Sequence, residues 1–441
     1  MRILVISTRD GDSFDLAWRM MQEGHDVKIA VQAKEDSGIG EGFGIKRVTG
    51  WRKELPWVGK KGLIVFDHTG FGKIQDKLRR AGYSVFGGSE GGDRLELERH
   101  FAQDIFSRHG IKTVPSLHFS STDQAIAFIK KNRRRWVLKQ NGQTDKTFSY
   151  CGKLNDGSDV INLLENYHEF NHKECQSVDL QKWVSGVELA VARYFNGQDW
   201  VGPIIMTMEH KDLFPGRLGP KTGEMGTLMW LEDDEQNKLF TETIAKVAPH
   251  LREVGFRGCF DINCIVSRDG PVPLEATPRF GYPEIHLNGD LMASPWSGFL
   301  KAIAEGKKCD VKWRRGFGVV LVLAVPPFPY ESVNSKYNPK GLAISFRGEL
   351  SSDDWRHIHF SEVSKRRNGG KQEEYQVSSD TGHVMCITGV AESVEEARKH
   401  LYNLAEKISI PRMFYRNDIG LQFIEKDRAL LEKWGYLSRR N

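Results

Sequence analysis

The chain has 441 residues, 39% hydrophobic and 27% charged, with a formal net charge of +5; this excludes a disordered chain and suggests two to four ordinary domains. It holds no apolar run long enough to span a membrane, and its start, MRILVISTRDGDSFD, turns to charge too early for a secretory leader, so a cytoplasmic protein is expected. The positive charge is mild and dispersed, which suits small anionic ligands and disfavours nucleic acid as a partner.

The first ninety residues alternate strand and helix signals: RILVIS, FDLAWRMMQEGH, DVKIAVQ, GLIVFD, GKIQDKLRRAGY and SVFGG. Short apolar strands followed by amphipathic helices predict a parallel, Rossmann-like sheet with ligands at the carboxyl ends of its strands. Two loops leave those ends, STRDGDSFD (7–15) and DHTGFGK (67–73). Neither is GxGxxG, so a dinucleotide site is not supported.

A helix is predicted over RLELERHFAQDIFSRHG (94–110), closed by Gly110. A further helix at 122–131 leads through the basic run KKNRRRW to the strand RRWVLKQ. That run reads as a solvated helix end in preference to a nucleic-acid patch. The strands SVDLQKWVSG, VELAVARYFNGQDWV and GPIIMTMEHKDLF precede a glycine-dense loop, LGPKTGEMGT (218–227). Beyond it come a helix over DEQNKLFTETIAKVAPHLREVG and two strands, GCFDINCIV and PVPLEATPRFG, joined by the turn SRDG. The last part offers the strands GVVLVLAV and HVMCITGVA and the helix SVEEARKHLYNLAEKI, with SKRRNGGKQEEY (364–375) expected as a surface loop. Six cysteines show no metal-ligand spacing and are expected to be reduced, Cys259 and Cys264 within a core.

Several residues can carry chemistry. Lys139 leaves a strand beside a polar loop, where an ammonium could clamp a phosphate. An antiparallel pairing of the strands at 258–266 and 271–281 would bring Asn263 or Asp261 beside Glu275 on one face. Oxygen ligands of this kind suit magnesium completed by phosphate or water, although the same pattern fits the solvated face of a sheet. Arg279 follows directly and could stabilise charge developing in phosphoryl transfer. Gly219, Gly223 and Gly226 would let the loop backbone approach a small anion, with Lys221 and Thr222 as donors.

Taken together, these stretches resemble the glycinamide ribonucleotide synthetase (phosphoribosylamine–glycine ligase) family of the ATP-grasp superfamily. GPKTGEMG is similar to that family's GPNTGGMG loop, LEATPRFGYPE to EFNxRFGDPE, EHKDLF to its DHKR stretch and MFYRNDIG to its closing yRxDIG, in collinear order from about Gly62 to Gly420. The resemblance implies an α/β and α+β chain: a Rossmann-like pre-ATP-grasp domain (1–90), an ATP-grasp domain (91–312) with a smaller lid (about 112–188), and a C-terminal α+β domain (313–441). It implies a ligase that uses ATP and Mg2+ (or Mn2+) to join a carboxylate to an amine through an acyl phosphate, as a monomer or homodimer.

Carried over position by position, the resemblance assigns Arg99 and Lys139 to the phosphates. Gln181, Lys182, Val184 and Glu188 fall in the segment lining the adenine and ribose pocket. Glu275 matches the metal-binding glutamate; Thr277 replaces the next ligand, an asparagine, and Asn263 is expected to supply the missing oxygen. Gly219, Lys221, Thr222 and Gly223 would hold the carboxylate substrate, with Arg279 and Lys221 catalytic. Asp10 and Asp67 lie in the loops that face the acceptor amine. They stand where a phosphate-bearing acceptor would want neutral or basic donors, so a changed acceptor is one reading. The family's KADGLAAGKGV loop is KQNGQTDKTFS here. Its lost glycines leave open a nucleotide-binding protein without ligase activity, and a nucleic-acid-linked substrate is a third reading.

Overall fold

The computed structural model describes residues 1–7, 13–31, 38–139, 150–169, 177–330, 338–368 and 372–438. Asp10 and most of the loop after Lys139 lie outside the described residues. The N-terminal strands Arg2–Ser7, Asp26–Val31, Lys46–Arg47, Leu63–Phe66 and Val85–Phe86 form one parallel sheet, with Arg2–Ser7 at its centre. Its central strands are apolar at nearly every position because helices cover both faces. Ser7 and Asp67 therefore come together at the carboxyl ends of neighbouring strands.

A four-stranded lid follows, ordered Ser116–Phe119, Val178–Lys182, Trp136–Lys139, Tyr150–Cys151. The helices Thr122–Lys131 and Ser158–Glu169 supply Ala125, Ile129, Val160 and Leu164, which pack with Trp136 and Leu138 into a core of the lid's own. The run KKNRRRW is the end of the first of these helices and the entry to Trp136–Lys139. Arg135 is held there by Gly152 O at 3.0 Å and by the Trp183 ring at 3.8 Å, while Arg133 and Arg134 are exposed.

An eight-stranded sheet fills the centre, ordered Gly270–Thr277, Gly258–Ser267, Val187–Phe195, Trp200–Glu209, Gly226–Glu232, Phe317–Ala324, His383–Ala391, Ile358–Phe360. The sheet runs across residue 313, so it joins the central and C-terminal segments. Phe317–Ala324 is buried at all eight positions between the helices Glu284–Leu291 and Val394–Lys407. Each large side chain buried there contributes roughly 1.5–3 kcal/mol. Cys259 and Cys264 are free thiols within this core, as expected.

Three expectations are corrected. The single helix over 94–110 is two helices, Glu90–Leu97 and Arg99–Arg108, broken where Glu98 leaves the helical region (φ −121°, ψ 89°). Ser89 caps the first, accepting from Gly92 N, and the break sets Arg99 at the start of the second. The helix over 234–255 is divided at Thr243 (φ −126°, ψ −95°) into Lys238–Glu242 and Ile244–Glu253. Finally, 364–375 is largely an antiparallel hairpin, Val363–Asn368 with Gln372–Val377, because Val363 and Val377 anchor it to the core. The helices Glu284–Leu291 and Trp296–Ala304 had no clear signature in the sequence.

Candidate functional site

Gly258–Ser267 and Gly270–Thr277 pair antiparallel around the turn at 267–270, with Asn263 opposite Glu275 and Asp261 opposite Thr277. The period of two puts these four side chains on one face. Val187–Phe195 lies on the other side of Gly258–Ser267, which brings Glu188 into the same layer. The Asn263 amide donates to Glu188 Oε1 at 3.1 Å and to Glu209 Oε2 at 2.8 Å. Its carbonyl oxygen is buried and has no hydrogen-bond partner among the described residues.

Lys211 closes the cluster, 2.7 Å from Glu209 Oε2 and 2.9 Å from Glu275 Oε1. Burial opposes its charge, yet Glu209, Glu275 and Glu188 outweigh burial and raise its pKa well above the ordinary lysine value. Burial, together with Glu275 and Glu188, pushes the Glu209 carboxyl up despite Lys211. In direct contact, Glu209 and Glu275 meet the Lys211 ammonium with Glu188 beside them. With the Asn263 carbonyl oxygen unpartnered among the described residues, this oxygen donor set fits a hard divalent cation. Thr277 is half-buried one pair along, beside Asp261, whose pKa is raised by burial and by Glu284.

Lys139 approaches from the lid. Its pKa is lowered by burial and by the positive charge of Arg99, with Glu275 acting the other way. Lys139, Arg99 and Glu275 thus share one electrostatic neighbourhood. Gln181 is buried and donates to Val114 O at 2.9 Å, whereas Lys182 is exposed. Lys182 and Val184 lie where the chain passes from Val178–Lys182 in the lid to Val187–Phe195 in the main sheet.

The glycine-dense loop has a more structural character than its sequence suggests. Leu218–Lys221 pairs with Asp212–Phe214, and Lys221 is a largely exposed partner of Asp212 at 2.9 Å. The Thr222 amide and hydroxyl both donate to Lys211 O, at 2.7 and 3.0 Å, so the loop positions the lysine that holds Glu275. Gly219 has φ +83°, and a Cβ there would meet Phe214 at 2.8 Å; at Gly226 a Cβ would meet Val320 O at 2.5 Å. Gly223 alone of the three faces open space.

Arg279 donates to Glu96 Oε1 through Nη2 at 3.0 Å and Nε at 3.3 Å, and to Phe280 O through Nη1. It lines a small cavity with Asp67, Ser13, His68 and Tyr282. Ser13 donates its hydroxyl to Asp67, and Tyr282 OH lies 3.2 Å from His383 Nε2. Glu284, behind this cavity, is pushed up to about 7 by burial. The structure thus gathers the expected site residues into two places: Asn263, Glu275, Glu188, Arg99 and Lys139 around the cleft, and Arg279 with Asp67 at the edge of the N-terminal sheet. Sequence reasoning missed Glu209, Lys211 and Glu96 as site residues. The EHK at 209–211 was visible only as a family-like stretch, and Glu96 gave no signal.

Comparison with known proteins identifies the family. The profile described as "Phosphoribosylglycinamide synthetase, ATP-grasp (A) domain" matches residues 97–285, and that of the C domain matches 322–422, more than half of the chain between them. A phosphoribosylamine–glycine ligase of Pseudomonas aeruginosa is 24% identical, covering 97% of this chain and 100% of its own. The crystal structure of the Thermotoga maritima phosphoribosylamine–glycine ligase superposes with a TM-score of 0.68 at 23% identity, covering 95% of this chain and 100% of that one. A biotin carboxylase domain from Hydrogenobacter thermophilus, solved with MgADP and bicarbonate, shares the fold at 12% identity and a TM-score of 0.65, over 98% and 97% of the two chains. Among the described residues no helix is long and apolar enough to cross a membrane. The chain belongs to the phosphoribosylglycinamide synthetase family of the ATP-grasp superfamily and is a ligase of that type.

Proposed function

We propose that this ligase joins a small-molecule carboxylate to an amine through an acyl phosphate, consuming ATP with a divalent cation in the cleft between lid and main sheet. The observation that carries the reading is the cluster in which Lys211 bridges Glu209 and Glu275 while the Asn263 oxygen has no partner among the described residues. Glu275, Asn263 and Glu209 would hold the cation, which supplies charge neutralisation for the phosphate oxygens. Lys139 and Arg99 would take the phosphates, and the strand-to-strand passage at Lys182 and Val184 the base. A triphosphate between Lys139 and Arg99 offsets the repulsion that now lowers the lysine's pKa. Arg279, fixed by Glu96, would stabilise charge at the reacting carboxyl from the edge of the cavity it shares with Asp67.

Catalysis in this scheme is positioning and charge neutralisation, with no covalent link to the protein. The carboxylate oxygen attacks the γ-phosphorus and ADP leaves; the amine then attacks the acyl carbon, and phosphate departs with that oxygen. Glycine and phosphoribosylamine, the substrates in the relatives' names, are the first pair to test. With doubly 18O-labelled glycine, one labelled oxygen should appear in each phosphate released. Unlabelled phosphate, with the expelled oxygen found in water or in AMP instead, would rule out the acyl phosphate.

A further inference from the structure

A second polar cluster lies beside the small cavity of Arg279 and Tyr282, where three parts of the chain meet. Asp15 comes from Phe14–Gln22, His286 from Glu284–Leu291 and His359 from Ile358–Phe360; all three are buried. Each presents one ligand atom within 4.8 Å of the others. Asp15 Oδ2 is 2.9 Å from His359 Nδ1 and 3.5 Å from His286 Nδ1. A zinc-sized ion with bonds of about 2.0–2.1 Å holds tetrahedral ligand atoms roughly 3.3 Å apart; the two separations lie on either side of that value, the shorter being the length of a hydrogen bond.

Around His359 the surroundings have the arrangement that metal-bound imidazoles use. The other ring nitrogen of His359 is 3.3 Å from Asp290 Oδ2, which also accepts from Thr388 and lies 3.0 Å from His357 Nδ1. A carboxylate behind the histidine fixes its tautomer and strengthens it as a ligand. Arg19 supports Asp15 Oδ2 in turn, through Nε at 2.7 Å. Asp15 Oδ1 and His286 Nε2 are buried with no hydrogen-bond partner among the described residues.

Charge favours one more cation. Two buried carboxylates, Asp15 and Asp290, face one guanidinium, Arg19, whose Nη1 is 3.8 Å from Asp290 Oδ1. With neutral imidazoles the cluster is one positive charge short. Its two candidates are a proton on His359, shared between Asp15 and Asp290, and a metal ion. Arg19 Nη2 lies 2.9 Å from His359 Nδ1 and 2.8 Å from Arg356 O, so metal binding requires it to give up the first contact and keep the second.

We infer that Asp15, His286 and His359 bind a late first-row divalent ion of the zinc class, separate from the magnesium site of the cleft. Two imidazoles and one carboxylate are the donor set of such ions, whereas magnesium takes oxygen ligands. The ion would tie the N-terminal helix, the helix after Tyr282 and the C-terminal strand together.

The test uses the full-length, tag-free protein after chelator treatment, titrated with Zn2+ and separately with Co2+. The inference predicts one zinc retained per chain after gel filtration, a rise in Tm, and a cobalt spectrum of nitrogen and oxygen ligands without thiolate bands. Asp290→Asn, which leaves all three ligands in place, should weaken zinc binding about 10–100-fold. Glu275→Gln, in the cleft, should leave it unchanged. The wild-type arm decides alone if a variant does not fold. No retained zinc, thiolate bands in the cobalt spectrum, or zinc lost only with Glu275→Gln would overturn the inference in favour of the protonated His359.

Discussion

Lys211 Nζ lies 2.9 Å from Glu275 Oε1, and the backbone carbonyl of the same lysine is held by Thr222. The carboxylate expected to take the metal is therefore poised by a neighbour that a cation would have to displace. Glu275→Gln removes the charge and keeps the shape. We predict a loss of about 100-fold in kcat/KM, roughly 2.7 kcal/mol of transition-state stabilisation, and a higher magnesium concentration for half-maximal rate. Magnesium titrations of turnover in wild type and variant check both.

Lys139 is expected to bind nucleotide phosphate as a cation. Its pKa in the free protein is lowered by burial and by Arg99. A bound triphosphate raises it again, so ATP binding should take up protons at alkaline pH. Calorimetry in buffers of different ionisation enthalpy reads this uptake directly. Lys139→Met should abolish it and raise the KM for ATP by at least about tenfold.

Two glycines of the glycine-dense loop, Gly223 and Gly226, should separate structure from ligand contact. A Cβ at Gly226 would lie 2.5 Å from Val320 O and 2.9 Å from Ile419, so Gly226→Ala should cost about 1–3 kcal/mol of stability in urea unfolding. A Cβ at Gly223 would meet nothing within 4 Å, so Gly223→Ala should unfold like wild type. A selective loss of turnover in Gly223→Ala would mark the point where the loop meets substrate.

Asp93 makes a pH prediction. It is buried and accepts from Gly70 N and Gly72 N, and burial raises its pKa to about 6 against an ordinary 3.8. Between those values the folded chain binds a proton the unfolded chain has lost, so this group's contribution falls as pH rises from about 4 to 6. The decline amounts to roughly 3 kcal/mol. Asp93→Asn should gain on wild type by that order between pH 4 and 7, and unfolding titrations at both pH values test it.

The parts legible in the sequence were those with a local cause. The hairpin of Asn263 and Glu275 followed from alternation and the SRDG turn, and the N-terminal sheet from its alternating apolar strands and amphipathic helices. The break at Glu98 was not legible, because residues 94–110 keep helical periodicity on both sides of it. Glu209 and Lys211 lie at the end of one strand and act on another, so spacing along the chain could not single them out. Asp15 and His359 are 344 residues apart and meet only through the packing of three segments.

The most direct test of the central claim is ADP release from magnesium ATP with glycine, using either phosphoribosylamine or hydroxylamine as the nucleophile. Hydroxylamine intercepts an acyl phosphate whatever the natural acceptor. The account predicts ADP formation that requires both carboxylate and nucleophile, with a hydroxamate or amide formed in equal amount, and near-complete loss in Glu275→Ala. ADP released at the same rate without carboxylate, or unchanged turnover in Glu275→Ala, would contradict it.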